Sequence, residues 1–219
     1  LGVASVLADR RQQLAGTVMF IFQPAEEGAP AGESGGAELM LKEGVFADLK
    51  PAMMFGLHTN VDLPAGQIGY TSGPTAASAD EFAATLKGRS AHAAFPQASV
   101  DPVVMASQAV MALQTIRSRN LSPLEPSVIT VAQIHGGIRN NIIPDEVNLE
   151  GTVRLYDAKA RDEVERRMRE VLNGIASASG GSATLDYKRG YPPLTSDAAL
   201  IERSLPALQR ALGKDNVRH

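Results

Sequence analysis

The rhythm of apolar and polar positions changes near residue 77. Before it, Val3, Val6, Leu7 and Leu14 recur near helical spacing with Arg10, Arg11 and Gln12 opposite, which predicts a helix that Gly16 stops. Thr17–Phe22 is a β-prone, mostly apolar run, the pattern of a strand buried on both faces. A Gly- and Pro-rich loop from Glu26 to Gly36 follows, then a short helix, Ala37 to Lys42, ended near Gly44. Ala52 to His58 (AMMFGLH) predicts a second buried strand, and GQIGYTSGP a strand and a turn. Helix, short turn and buried strand in succession describe an α/β sheet.

Beyond residue 77 the pattern is different. DEFAATLKG alternates in part and reads as a strand. DPVVMASQAVMALQTIRSR reads as a helix with Asp101 as N-cap and Pro102 at its first position. SVITVAQIHGG and EVNLEGTVRLY read as strands. Asp157 caps a strongly amphipathic helix on which Val164, Met168, Val171, Leu172 and Ile175 share a face. SATLDYKRG is the last strand of this stretch. The order β-α-β-β-α-β predicts a ferredoxin-like unit. The expected organisation is an α/β layer at 1–76, an inserted ferredoxin-like domain at 77–190, and a return segment at 191–219 that runs through prolines into one more helix without a further strand.

Composition narrows the function classes. A net charge of −3 gives no electrostatic reason to expect nucleic acid or an anionic membrane surface. Trp is absent and aromatics are 5 %, too few for base-stacking platforms. Cysteine is absent, which excludes disulfides and thiolate ligands within these residues. No run of about 18 apolar residues predicts a membrane span. The chain opens inside a helical pattern, without Met or a charged leader, as a piece of a longer protein would. The compartment is open: cytoplasmic by default, periplasmic if the parent carries a signal peptide.

The candidate chemistry sits at the ends of the two predicted buried strands. Reactive groups in open α/β sheets collect beyond the carboxyl ends of strands. Glu26 and Glu27 follow one such strand and His58 ends the other. Adjacent side chains in an extended segment point in different directions, so two neighbouring glutamates divide labour. One can bind a cation while the other takes a proton from water, the recipe for metal-assisted hydrolysis. Spacing alone leaves the plainer readings open: a solvated Glu-Glu pair and a structural histidine. His135 reads as structural or surface, and Asp101 as a helix cap.

FQPAEEG, GGAELMLKEGVF, FGLHTNVDLPAGQIGYTSGPTAASADEF, KGRSAHAAFP and GGIRNNIIPDEVNLEGTVR are similar, in order and spacing, to the M20 metallopeptidases, above all to their amidohydrolase branch of hippurate, N-acyl-amino-acid and indole-acetyl-amino-acid hydrolases. The resemblance covers nearly the whole chain. It implies a partial catalytic domain of zinc-exopeptidase type and an inserted ferredoxin-like lid that dimerises. It also implies two divalent metal ions (Zn, Mn, Ni or Co) in the complete enzyme. The substrate it implies is an N-acyl amino acid or small peptide, with neither nucleic acid nor membrane as partner.

Residue by residue, the resemblance makes Glu26 the general base, Glu27 a metal ligand and His58 a ligand of the second metal. It makes His92 the lid histidine that polarises the scissile carbonyl, often in the partner subunit's site. It makes Asn141, with its neighbour Asn140, a substrate-binding residue and Arg154 the clamp for a substrate carboxylate. His92 as a turn-stabilising residue and Arg154 as a strand surface residue are the competing readings. The branch also uses a Cys-Gly-His-Asp-x-His segment upstream and a late His downstream, and neither occurs here. These 219 residues alone are therefore expected not to bind catalytic metal tightly. Gln97 stands where the family lid often has a second His. The alternative class is a non-catalytic dimerisation or small-acid-binding module.

Overall fold

The computed structural model describes every residue except Glu27 and Ala31. The chain forms two compact units, Leu1–Val61 and Asp62–His219.

In the first unit, helix α1 spans Gly2–Asp9 and a 3-10 turn spans Arg11–Gln13. The predicted single helix thus breaks at Arg10, whose φ of −107° and ψ of 16° leave the α region. Helix α2 spans Gly36–Lys42. Neither predicted buried strand forms: residues 17–23 and 52–60 carry no ladder pairing. Phe22 is 60 % exposed and Phe55 68 %. An extended segment becomes a strand only when a neighbour takes its N–H and C=O groups. Among the described residues these two segments have no such neighbour.

The second unit opens with β1 (Ile68–Gly69) and β2 (Gly73–Ala76), then β3 (Asp80–Lys87) and β4 (Ala91–His92). Helix α3 (Pro102–Thr115) follows and ends in a π turn over Ile116–Asn120. Next come β5 (Ser127–Gly136), β6 (Ile142–Ile143), β7 (Glu146–Leu155), helix α4 (Ala158–Ala178) and β8 (Ser182–Lys188). The chain closes with β9 (Leu194–Ser196), α5 (Ala198–Leu212) and β10 (Val217–Arg218).

Strands β5, β7, β3 and β8 form, in that order, a four-stranded antiparallel sheet. This is the ferredoxin-like arrangement that the element order predicted. The alternation along β3 turns Asp80, Phe82, Ala84 and Leu86 inward and leaves Glu81, Ala83 and Lys87 outside. α3 and α4 cover the inner face. Phe82, Leu113, Ile129, Val153, Val164 and Met168 form one core cluster, and Leu86, Met105, Val147, Leu149 and Leu172 the other. Burying each large apolar side chain contributes about 1.5–3 kcal/mol. Asp101 caps α3 by accepting from Val103 N–H at 2.9 Å, and Asp157 caps α4 by accepting from Ala160 N–H at 2.8 Å.

The return segment differs from its expectation. It carries two short strands: β9 pairs antiparallel with β2, and β10 pairs parallel with β1. Entry to and exit from the ferredoxin-like sheet therefore lie side by side. Ala79 N–H donates to Tyr191 O at 3.2 Å. Gly190 approaches so closely that a Cβ there would lie 2.0 Å from Ala79 O, which only glycine permits.

Candidate functional site

Glu26 sits in a turn formed by Pro24, Ala25 and Glu26. Ala25 has a φ of 49°, and its carbonyl accepts from Gly28 N–H at 3.1 Å. The chain then folds back, and Gly36 N–H donates to Pro24 O at 2.6 Å. A Cβ on Gly35 would lie 2.8 Å from the Ala25 Cβ. The Gly35-Gly36 pair is thus the local reason this turn can form. Glu26 is exposed. Its neighbour Glu27, the proposed metal ligand, lies outside the described residues.

His58 is also exposed. Its Nδ1 lies 2.7 Å from Thr59 O. A carbonyl oxygen can only accept, so Nδ1 carries a proton, and in the neutral imidazole Nε2 keeps its lone pair. This is the tautomer of a metal ligand, whose second nitrogen is commonly tied to a carbonyl. His58 therefore suits one donor position at a cation. Among the described residues, no group of three or more His, Asp or Glu side chains could hold a metal ion.

His92 is built the opposite way. It lies on β4, whose partner β6 pairs His92 with Ile142 and Ala91 with Ile143. Ala94 N–H donates to His92 Nδ1 at 3.1 Å. Nδ1 is therefore the unprotonated nitrogen, and Nε2–H is an outward donor. The same ribbon brings up Asn141, whose carbonyl accepts from Ala93 N–H at 3.0 Å. Ser90 Oγ–H closes the other end on Ile143 O at 2.7 Å. Asn140 precedes Asn141 in an exposed turn. His92, Asn140 and Asn141 thus share one short ribbon, which places a hydrogen-bond donor and two amide side chains in one neighbourhood. Gln97 lies in the 3-10 turn Pro96–Ala98 beyond this ribbon.

Arg154 lies elsewhere on the same unit. The ribbon end adjoins the start of β7, where Gly88 N–H donates to Asp145 O at 2.7 Å. Arg154 stands near the far end of β7, opposite Val128 of β5. From Glu146 to Arg154 the strand runs about 26 Å at roughly 3.3 Å per residue. An arginine side chain cannot cross that span, so one copy of this unit does not unite Arg154 with His92 and Asn141. Arg154 Nη1 donates to Asp80 O at 3.1 Å and to Val153 O at 3.0 Å. Among the described residues its Nε and Nη2 hydrogens are unengaged, and that edge of the guanidinium is the one a carboxylate grips with two parallel bonds.

Beside Arg154 lies a group that no sequence pattern disclosed. Asp80 is 0 % exposed. Its Oδ2 accepts from Arg161 Nε at 2.7 Å and from Tyr187 Oη–H at 2.8 Å. Its Oδ1 accepts from Arg161 Nη2 and from Gly190 N–H at 3.1 Å. Arg161 Nη2 also donates to Gly190 O at 2.8 Å. The hydrogen bond to Asp80 pushes the Arg161 pKa up, and burial with the Asp80 bond pushes the Tyr187 phenol well above its ordinary value. The only available signal was Asp80 at an inward position of β3, a charge where the alternation calls for an apolar residue. His135, by contrast, is an exposed residue bonded through Nε2 to Gln133 at 2.9 Å.

The chain is similar to known proteins over most of its length. Residues 77–179 match the family model of the M20 peptidase dimerisation domain. The chain is 39 % identical over 210 residues to an N-acetylcysteine deacetylase of Bacillus subtilis, covering 96 % of this chain and 53 % of the relative. It is 37 % identical over 204 residues to an IAA-amino acid hydrolase of Arabidopsis thaliana, covering 91 % of this chain and 45 % of the relative. A crystal structure of a dinuclear-metal-binding M20 peptidase from Bacillus subtilis superposes with a TM-score of 0.76 at 34 % identity, covering 96 % of this chain and 51 % of that one. Residues 77–179 thus form a domain of the M20 peptidase dimerisation type, and the chain as a whole is similar to M20 peptidases and amidohydrolases. It spans about half the length of the curated relatives it matches. No helix among the described residues is long and apolar enough to cross a membrane.

Proposed function

We propose that the complete protein hydrolyses the amide bond of N-acyl amino acids with the help of divalent cations. The observation that carries this reading is the pair of opposite histidine tautomers. His58 offers a lone pair suited to a cation, and His92 offers an N–H suited to a carbonyl oxygen. The relatives' chemistry supports it: one removes acetyl groups from N-acetylcysteine and another hydrolyses IAA-amino acids. The peptidase of known structure binds a dinuclear metal.

His58 and Glu27 are the residues of this chain that would hold metal, and a cation there supplies Lewis acidity at the reacting centre. Glu26 takes a proton from the attacking water and returns it to the leaving amine. His92 Nε2–H donates to the oxygen that gains negative charge, and the side chains of Asn140 and Asn141 bind the acyl-amide beside it. Arg154 grips the free carboxylate of the amino acid through its open edge. Because β7 runs about 26 Å from Glu146, beside the His92 ribbon, to Arg154, a productive site draws His92 and Arg154 from two copies of a homodimer. The dimerisation-type domain supports that arrangement.

The test is complementation in the enzyme expressed from its complete gene, assayed on N-acetyl and N-benzoyl amino acids with Mn²⁺ or Zn²⁺. His92→Ala is expected to be nearly inactive, and Arg154→Ala nearly inactive at acid concentrations near the wild-type KM, with a residual kcat/KM still measurable at high substrate. Mixing them through dissociation and reassociation should restore about a quarter of wild-type turnover, since half of randomly paired dimers contain one intact site. No hydrolysis by the wild-type enzyme would refute the reading. Activity of the single variants with no gain on mixing would refute the two-copy site.

A further inference from the structure

We infer that Asp80 is a positioning residue for substrate recognition: it orients the Arg154 guanidinium by fixing the backbone carbonyl on which that guanidinium rests. The inference deepens the proposed carboxylate clamp and rests on it.

Arg154 projects from the open side of the sheet, where a long charged side chain in water samples many rotamers. One nitrogen, Nη1, is held by Asp80 O and Val153 O. That tether leaves Nε and Nη2 as an adjacent pair with no partner among the described residues, the pair that can make two parallel bonds to a carboxylate. The tether is only as firm as the Asp80 backbone. Asp80 is the first residue of β3, a position where strand ends ordinarily fray. Here its side chain is fully buried and accepts from two arginine nitrogens, a phenol and a backbone N–H. Those donors come from α4, from β8 and from Gly190. The strand end carrying the Arg154 anchor is thus pinned from three directions, and the carbonyl is presented on one face by a carboxylate locked on the other.

A purely structural role would not account for the position of this charge. Apolar residues fill the other inward positions of β3, and a buried ion pair is seldom more stabilising than apolar packing of the same volume. What a fully satisfied network adds is a single, rigid placement of the atoms it holds. The atom within its reach that touches a proposed substrate-binding side chain is Asp80 O.

The experiment compares the N-acetyl amino acid turned over fastest with its primary carboxamide, in the metal-loaded enzyme expressed from its complete gene. Asp80→Asn should lower the preference for acid over carboxamide by about tenfold, mainly through a higher KM for the acid. Tyr187→Phe, which removes one bond and keeps the carboxylate, should lower it in the same direction by about two- to threefold. It carries the test if Asp80→Asn fails to fold. In an Arg154→Ala background, Asp80→Asn should change the preference no further. Equal losses on both substrates, or an unchanged preference in either variant, would assign the network to stability alone and overturn the inference. If Arg154→Ala itself keeps the preference, the carboxylate clamp falls and the inference with it. If Arg154→Ala abolishes the preference and the Asp80 and Tyr187 variants keep it, the clamp stands and the inference alone falls.

Discussion

Phe82 and Phe55 stand on extended segments of similar composition and end in opposite situations. Phe82 lies on β3 between β7 and β8, under α3 and α4, and is buried. Phe55 lies on a segment without a ladder partner and is 68 % exposed. The two units differ throughout in this respect. Asp62–His219 satisfies its backbone within its own sheet and builds two core clusters. Leu1–Val61 presents Phe22, Met54, Phe55 and Leu57 exposed. Apolar runs supply the motive for a strand, but a strand also needs a neighbour for its polar backbone. The difference also divides the proposed chemistry. The residues proposed for proton transfer and cation binding, Glu26 and His58, lie on the unit whose described residues form no sheet. The groups that would hold substrate lie on the unit with one.

The strongest way to sharpen this division is Glu26→Gln in the enzyme expressed from its complete gene. Turnover of N-acyl amino acids should fall by about 10²–10⁴-fold while substrate binding persists, because only proton transfer is lost. Normal turnover would remove Glu26 from the chemistry and leave its unit without a catalytic role. Next in size are paired core and surface truncations, read by urea unfolding. Leu149→Ala, at a site 0 % exposed, should cost about 2–5 kcal/mol. Phe55→Ala in this same chain should cost within about 0.5 kcal/mol. Equal costs would mean that the first unit buries Phe55 in solution, and the contrast would collapse.

A smaller effect is expected at alkaline pH. Tyr187 has a raised pKa in the folded state, so its contribution is present below pH ~10 and fades as pH rises from there toward the folded value. The unfolded chain loses its phenolic proton first, which tilts the balance toward unfolding by at most about 1.4 kcal/mol per pH unit. Tyr187→Phe should flatten that limb of the stability profile; an unchanged limb would place the titration elsewhere. Smallest is Glu165 on α4. Burial works against its charge, but hydrogen bonds from Arg169 and Arg189 outweigh it and hold its carboxyl below the usual value. Its contribution is present above the ordinary carboxylate range and is lost as pH falls through the folded value. Glu165→Gln should lower stability at neutral pH by less than about 1 kcal/mol and remove that acid limb. A persistent acid limb would point to another carboxylate.

Period and punctuation made the ferredoxin-like unit legible. The alternation of DEFAATLKG, the 3.6-residue rhythm of α4, and Asp101 and Asp157 at helix starts are local signals, and local physics decided those elements. The strands expected at 17–22 and 52–58 failed because ladder pairing is decided by other parts of a structure. The Asp80 cluster was illegible for a related reason: Arg161, Tyr187 and Gly190 reach it from about 80 to 110 residues away in the chain. Motif resemblance pointed to His92 and Arg154 as residues without disclosing their states. Which ring nitrogen of His92 holds the proton depends on Ala94 N–H, and which edge of Arg154 is open depends on Asp80 O.

The bond between Ala79 and Tyr191 has a consequence for assembly. Its two ends bracket more than a hundred residues and still meet at 3.2 Å. Ring closure across so long a stretch of free coil would be entropically unfavourable, with the penalty growing as the logarithm of its length. Once the intervening sheet and helices have folded, that penalty is already met, and the flanking strands experience the whole insertion as a tight turn. Formation of the ferredoxin-like body would then precede, and template, the pairing of β2 with β9.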